Sequence, residues 1–134
     1  MKIALACDPA GLVLLPAVKK VLDELHVAYE EYGIFENDTT RDYTVFAWRA
    51  ARAVADGRCD RGIILCGTGV GVSIAANKVK GIRCALLGDL MSARLTRLHN
   101  DTNMMALGAA VVGEGLALEI VDTWLDTAFS HGER

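Results

Sequence analysis

The stretch 63–78 constrains the fold more than any other part of the sequence. Residues 63–65 are an apolar run typical of a buried strand, and residues 72–78 have the composition of a helix start. Between them lie Cys66 and a turn with three glycines in five residues, 67–71. A turn of this kind between a strand and a helix leaves backbone N–H groups unpaired at the positive end of the helix dipole. The pattern therefore predicts a site for a small anion.

The chemistry of this site depends on Cys66, which stands at its rim. Oriented N–H groups stabilise a thiolate, so Cys66 is a candidate nucleophile or base. A plain strand-to-helix connection is the alternative. Two nucleotide-binding patterns fail on spacing, because Val72 replaces the third glycine of the dinucleotide motif and Gly71 is not followed by the lysine of a phosphate loop.

Composition excludes several classes of protein. The chain has 134 residues, which predicts a single domain over 1–134, and a net charge of −3 without any basic cluster, which argues against nucleic-acid binding. It has no apolar run long enough for a membrane span and no signal-peptide pattern, so we expect a cytoplasmic protein without a membrane partner. Its four cysteines lie far apart, which predicts neither a zinc site nor disulfides.

Apolar periodicity predicts five strands that alternate with five helices. The strands are expected at 2–7, 27–32, 62–66, 82–87 and 103–107, and the helices at 14–26, 43–57, from 72, from Asp89 or Ser92 to 98, and at 114–129. This alternation predicts an α/β fold: one Rossmann-like three-layer domain with a five-stranded, parallel, doubly wound sheet. With a strand order such as 2-1-3-4-5, Cys7–Asp8 and Cys66–Gly67 would lie side by side at the crevice where ligands bind.

A second polar cluster occupies residues 99–103, His-Asn-Asp-Thr-Asn, before the fifth strand. Histidine can donate or accept a proton near neutral pH, so His99 is a candidate acid or base. The alternative is that His99 and Asn100 cap a helix end. Because this connection leads to the amino end of a strand, His99 cannot reach Cys66 within one chain. A homodimer with a composite site would bring the two together.

These motifs resemble the family of type B ribose-5-phosphate isomerases, which includes the galactose-6-phosphate and allose-6-phosphate isomerases. The resemblance covers essentially the whole chain. It is carried by Cys7-Asp8 with Ala10-Gly11, by Asp42-Tyr43, and by the stretches 66–71, 73–78 and 99–103.

The resemblance implies an aldose–ketose isomerase that acts without metal or organic cofactor, at sites shared by two subunits of a homodimer that can pair into a tetramer. Ribose 5-phosphate, converted to ribulose 5-phosphate in the pentose phosphate pathway, is the expected substrate. The alternatives are a six-carbon sugar phosphate, such as galactose 6-phosphate or allose 6-phosphate, and a non-catalytic, flavodoxin-like phosphate-binding module.

The resemblance also implies a role for individual residues. Cys66 would move a proton between C2 and C1, and His99 of the second subunit would open the sugar ring with help from Asp8 and Thr68. The enediolate oxygen would be held by the backbone of 67–71, which comprises Gly67, Thr68, Gly69, Val70 and Gly71. The remaining substrate contacts would come from Pro9, Tyr43, Asn100 and Arg134.

Four departures from the family pattern concern mainly the phosphate. Pro9 replaces a histidine, Thr44 a proline, Ala109-Ala110 a Ser-Arg pair, and the sequence stops at Arg134, before a second arginine. Each charge-assisted hydrogen bond lost in this way could cost about 1.5–3 kcal/mol. We therefore expect either a shortened chain or a substrate other than ribose 5-phosphate.

Other expectations concern residues near these motifs. Trp48 and Trp124 fall on apolar helix faces and are predicted to be core. Arg94 and Arg97 are predicted on a solvated helix face, with a phosphate contact across the dimer as the alternative.

Overall fold

In the part of the chain that the structure describes, five strands and five helices alternate, as predicted. The structure, a computed structural model, describes residues 1–33 and 43–132. In order, its elements are β1 (Lys2–Cys7), α1 (Leu15–Glu24), β2 (Ala28–Glu31), α2 (Tyr43–Ala55), β3 (Arg61–Cys66), α3 (Val70–Asn77), β4 (Cys84–Leu86), α4 (Leu90–Asn100), β5 (Met104–Gly108) and α5 (Glu114–Asp126). The strands agree with the predicted ones to within two residues at each end. A short 3₁₀ turn, Pro9–Gly11, follows β1.

The strands form one parallel sheet in the order β2-β1-β3-β5-β4. The five-stranded, parallel, doubly wound α/β fold is confirmed, but the expected order 2-1-3-4-5 is wrong for its last two strands. Burial explains the difference, because all five residues of β5 are buried whereas the three residues of β4 are partly or fully exposed. The longer apolar strand takes the inner position and the short one the edge. The predicted contact between the first and third strands is confirmed, with Cys7 opposite Leu65.

Helices cover both faces of the sheet. On one face, α1 and α5 pack on strand residues such as Ile63 and Leu65, and Trp124 of α5 is fully buried there. On the other face, α2 and α3 pack on Ile64 and Cys66. Each fully buried large aliphatic side chain contributes about 1.5–3 kcal/mol relative to an exposed one. Alternate residues of β3 thus pack against the two opposite helix layers, which restrains the end of the strand from both faces.

Helix α2 carries a tryptophan, Trp48, that is predicted to be core but is exposed. Trp48 is 53% exposed, so its prediction as core is wrong, whereas that of Trp124 is confirmed. The buried residues of α2 are Phe46, Ala47, Ala50, Ala51, Ala53 and Val54. Because these are mostly alanines, the helix lies close to the sheet, and the large indole of Trp48 remains outside. In residues 1–33 and 43–132, no helix is long and apolar enough to cross a membrane.

Candidate active site

Cys66 is the last residue of β3, the central strand of the sheet. Its side chain is directed back into its own turn, because Sγ accepts a hydrogen bond from the Gly69 N–H at 2.9 Å. A sulfur that accepts an N–H is better suited to carry negative charge than one in an apolar environment. The glycine-rich turn therefore supplies Cys66 with a hydrogen-bond donor from its own backbone.

The turn after Cys66 is held in place by the backbone that follows β5. The N–H groups of Ala109 and Ala110 donate to the carbonyl oxygens of Cys66 and Gly67, at 2.8 and 2.9 Å. Gly108 lies so close to Thr68 that an added Cβ would stand 2.5 Å from the Thr68 carbonyl carbon and oxygen. The stretch 108–110 therefore supports the turn through its backbone, which the alanines in place of the family's Ser-Arg pair leave intact.

Helix α3 begins at this turn, two residues earlier than predicted. Gly69 is its N-cap residue, in the left-handed conformation with φ of 80°, and the Val70 N–H donates to Thr68 Oγ1 at 3.2 Å. The first hydrogen bond of the helix runs from the Ser73 N–H to the Gly69 carbonyl oxygen. The N–H groups of Gly71 and Val72 have no acceptor among the described residues. Together with the helix dipole, these two donors favour an anion at this place.

Asp8 lies beside the same turn. Its N–H donates to the Leu65 carbonyl oxygen at 3.1 Å, which continues the pairing of β1 with β3, and its Oδ1 accepts from the Gly11 N–H at 2.9 Å. Ala10 faces Gly67, where an added Cβ would lie 3.5 Å from the Ala10 Cβ. The predicted juxtaposition of Cys7–Asp8 with Cys66–Gly67 is thus confirmed. Pro9 is exposed at the start of the 3₁₀ turn.

The other three cysteines are poor candidates for chemistry. Burial raises the pKa of the Cys7 thiol to about 11 and that of Cys84 to about 12. Burial also raises the pKa of Cys59. Because thiols are the inert form, these three side chains are packing residues at neutral pH. Cys66 remains the candidate base.

His99 and Asn100 lie in the last turn of α4, at the opposite end of the sheet. Met104 pairs with Gly62 and Gly108 with Cys66, so about 13 Å of strand, at about 3.3 Å per residue, separates the two ends. The structure therefore does not bring His99 to Cys66 within one chain, which agrees with the sequence-based expectation. Both side chains are exposed, and the residue that ends the helix is Asp101, with φ of 47°.

Arg97 is buried next to this helix end, and its predicted solvation is wrong. It is only 5% exposed. Nη1 donates to Asp101 Oδ1 at 3.0 Å and to the Thr102 carbonyl oxygen at 2.6 Å, and Nε donates to the Thr127 carbonyl oxygen at 3.0 Å. Sequence reasoning missed this residue, because one acceptor lies 30 positions away and the others are on the helix cap.

Further hydrogen bonds reinforce the same helix end. The N–H and Oγ of Ser130 both donate to the Leu98 carbonyl oxygen, at 3.1 and 2.7 Å. The Trp124 Nε1–H donates to Thr102 Oγ1 at 3.1 Å. Arg83 Nε donates to the Asp101 carbonyl oxygen at 2.8 Å. Helix α5, the segment after it and the residue before β4 are thereby fastened to the end of α4 and the residues that follow it.

Tyr43 and Arg134 are two further predicted site residues. Tyr43 is the first residue of α2, which places its backbone at the carboxyl end of the sheet, but its side chain lies outside the described residues, as does Arg134 entirely. A groove of about 510 Å³ opens beside Gly71, between α2 and α3, with Trp48 and Ile74 among its lining residues. Within the described ranges, no group of three or more His, Cys, Asp or Glu side chains is arranged to hold a metal ion.

Comparison with known proteins gives consistent results. Residues 3–134 match the family model described as Ribose/Galactose Isomerase. The chain is 46% identical to ribose-5-phosphate isomerase B of Escherichia coli (98% of this chain, 87% of the relative) and 39% identical to D-erythrulose-4-phosphate isomerase of Pectobacterium atrosepticum (98% and 87%). The solved structure of Clostridium thermocellum ribose-5-phosphate isomerase B superposes with a TM-score of 0.93 at 46% identity, over 98% of this chain and 88% of that one.

Proposed function

Because the chain belongs to the ribose/galactose isomerase family and is an aldose–ketose isomerase of sugar phosphates, we propose that it converts ribose 5-phosphate to ribulose 5-phosphate. The observation that supports this proposal is the position of Cys66, whose Sγ accepts the Gly69 N–H, beside the N–H groups of Gly71 and Val72, which have no acceptor in residues 1–33 and 43–132. A base and an anion-stabilising group within one turn are what an enediolate mechanism needs.

In this proposal Cys66 is the base. Its thiolate removes the proton from C2 of the open-chain aldose, and negative charge develops on the oxygen at C1. The N–H groups of the turn 67–71 stabilise that oxygen, and one such donor can be worth about 10²–10³ in rate. The hydroxyl proton on O2 passes to the oxygen at C1, and the Cys66 thiol returns its proton to C1, which leaves a carbonyl at C2 and gives the ketose. The reaction needs no external oxidant or reductant, because the oxidation at C2 of the sugar is balanced by the reduction at C1.

Ring opening precedes this step and is assigned to His99 of a second copy of the chain. The ring oxygen must gain a proton while the C1 hydroxyl loses one. His99 stands in the last turn of α4 with an exposed side chain, and a histidine can donate or accept a proton near neutral pH. Asp8 and Thr68 assist at the turn 67–71, which forms the anion-binding cradle. Asn100 holds the intermediate, Tyr43 and Pro9 line the sugar pocket, and Arg134 binds the phosphate.

An exposed apolar rim supports the homodimer. Eight of the twelve exposed large apolar side chains among the described residues lie at the carboxyl end of the sheet, around the Cys66 turn: Leu12, Val13, Val70, Ile74, Leu86, Leu90, Met91 and Val111. Such a concentration is typical of a surface that is covered in the assembled protein. The site is incomplete without the partner's His99, so a second copy is the occupant we propose.

We place this reaction in the pentose phosphate pathway and the enzyme in the cytoplasm. Six-carbon sugar phosphates are the second candidate substrates, because Pro9 and Ala110 remove donors that the family directs at the phosphate of ribose 5-phosphate.

The test is proton exchange in D₂O. The protein is incubated with ribose 5-phosphate, and the C2 proton and the appearance of ribulose 5-phosphate are followed by NMR. We expect exchange and product with the wild type and with Cys84→Ala, and a loss of about 10²–10⁴ in rate with Cys66→Ala. Activity confined to six-carbon sugar phosphates would overturn the choice of substrate, and an active Cys66→Ala variant would overturn the assignment of the base.

A further inference from the structure

We propose that Arg97 is a positioning residue for the ring-opening step: it fixes the last turn of α4, and with it His99, in the partner's site. The inference rests on the proposed function, since it concerns how His99 is held. It assigns a task in the reaction to a side chain that would not touch the sugar.

The orientation of His99 depends on its backbone. In the described part of the chain, its imidazole accepts and donates no hydrogen bond, and it is exposed. An acid must nevertheless be presented at a fixed position, because a displacement of about 1 Å can cost about 10²-fold in rate. The residues on either side of His99 must therefore supply the rigidity.

Arg97 supplies it by joining both sides of His99. It precedes His99 by two positions, and its Nη1 binds the side chain of Asp101, two positions after His99, and the Thr102 carbonyl oxygen. Helix ends fray when their last carbonyl groups and caps are not held. The buried Arg97 guanidinium thus links the residues before and after His99 and restrains the turn that carries it.

The same guanidinium connects this turn to the C-terminal segment. Its Nε donates to the Thr127 carbonyl oxygen, and three residues later Ser130 donates twice to the Leu98 carbonyl oxygen, directly before His99. The planar guanidinium can serve acceptors in three directions at once, which a lysine ammonium on a flexible stem cannot do with the same geometry. The guanidinium of Arg97 can therefore be buried, because its positive charge is compensated by the Asp101 carboxylate and by hydrogen bonds to two carbonyl oxygens.

Ring opening can be separated from proton transfer by the choice of substrate. D-Erythrose 4-phosphate cannot close a furanose ring, because its O4 carries the phosphate. Its isomerisation therefore needs Cys66 but no ring-opening acid, whereas ribose 5-phosphate needs both. An effect transmitted through His99 should appear with the five-carbon substrate alone.

The experiment measures kcat and KM of Arg97→Met with both substrates, beside Arg58→Met as the matched control. Arg58 is exposed and pairs with Asp56, away from His99. We expect Arg97→Met to lower kcat on ribose 5-phosphate by about 10–100-fold and to change kcat on D-erythrose 4-phosphate by less than about threefold. Arg97→Lys, which keeps the charge, should recover part of the loss. Equal losses on both substrates would show a general structural role and overturn the inference.

A double-mutant cycle tests whether Arg97 acts through His99 without the need for D-erythrose 4-phosphate. If Arg97 acts through His99, the double variant Arg97→Met/His99→Ala should have the same kcat on ribose 5-phosphate as His99→Ala alone. If the two residues act independently, the fold-losses in kcat of the two single variants multiply. Multiplied losses overturn the inference. Where Arg97→Met does not fold, as judged by circular dichroism, Arg97→Lys takes its place in the cycle. A wild type inactive on ribose 5-phosphate refutes the proposed function, and the inference with it; an active wild type with unaffected Arg97 variants refutes the inference alone.

Discussion

The two ends of the sheet hold their candidate catalytic groups in opposite ways. At the carboxyl end, the turn around Cys66 is fixed by backbone hydrogen bonds and by the close approach of Gly108 to Thr68. At the amino end, the turn around His99 is fixed by side chains, chiefly the buried Arg97. We therefore expect the carboxyl end to be sensitive to added side-chain volume and the amino end to be sensitive to lost hydrogen bonds.

This contrast has a chemical rationale. A cradle for an oxyanion needs N–H groups directed at one spot, and a backbone fixed by glycines supplies them without reorganisation during the reaction. A ring-opening acid needs only a defined position at the end of a helix. The apolar rim at the carboxyl end and the His99 side chain at the amino end are both exposed, and in our proposal a second copy of the chain covers them.

The largest predicted effect is the loss of activity when Cys66, at the cradle, is covalently modified. Burial raises the pKa of Cys7 to about 11 and that of Cys84 to about 12, and it also raises the pKa of Cys59, so these three side chains are almost entirely thiols at pH 7. We therefore expect iodoacetamide to label Cys66 first and to abolish activity. Labelling of Cys7 and Cys84 should begin only as the pH rises towards those values, because the thiolate fraction grows tenfold per unit.

Peptide mass spectrometry after short exposures checks this expectation, with ribose 5-phosphate added as a protecting ligand. Modification of Cys7 or Cys84 before Cys66 at pH 7 would contradict the assignment of Cys66 as the reactive thiol.

A smaller effect tests the sensitivity of the cradle to volume. In Gly108→Ala the new Cβ would lie 2.5 Å from the Thr68 backbone, which must shift. We expect kcat to fall by about 10²-fold and the free energy of unfolding by about 1–3 kcal/mol. Gly115→Ala in α5 is the matched control, since no atom lies within 4 Å of its added Cβ. Equal activities of the two variants would show that the turn is not held by close approach.

The smallest effect concerns the hydrogen bonds at the His99 end. Thr102→Val keeps the shape of the side chain but removes the acceptor of the buried Trp124 Nε1–H. An unsatisfied buried donor costs about 1–3 kcal/mol, so urea denaturation should show a loss of that size. Thr102→Ser, which keeps the hydroxyl, should lose less. A fully stable Thr102→Val variant would mean that this end does not depend on its side-chain network.

Much of the fold follows from local sequence. The apolar run 63–65 and the glycines 67–71 fix a strand, a turn and a helix, and parallel pairing then places Cys7–Asp8 beside Cys66–Gly67. The order of β4 and β5 does not follow from the same rules, because two apolar strands compete for one inner position. Their relative length and burial decide it, and these depend on the finished sheet.

The misjudged side chains have a common cause. In α2, several alanines stand on more than one face, so apolar periodicity does not determine which face meets the sheet, and Trp48 was wrongly predicted to be core. Arg97 looks like any surface arginine in the sequence, since Thr127 is distant along the chain and acts through its carbonyl oxygen. Long-range partners of this kind carry no sequence pattern.

The central claim, that each site combines Cys66 of one chain with His99 of another, is tested most directly by complementation. Cys66→Ala and His99→Ala are unfolded together, refolded as a 1:1 mixture and assayed with ribose 5-phosphate, beside each variant refolded alone. Random pairing makes half of the dimers mixed, each with one intact site, so the account predicts about a quarter of wild-type activity. A mixture no more active than the two separate variants would contradict it.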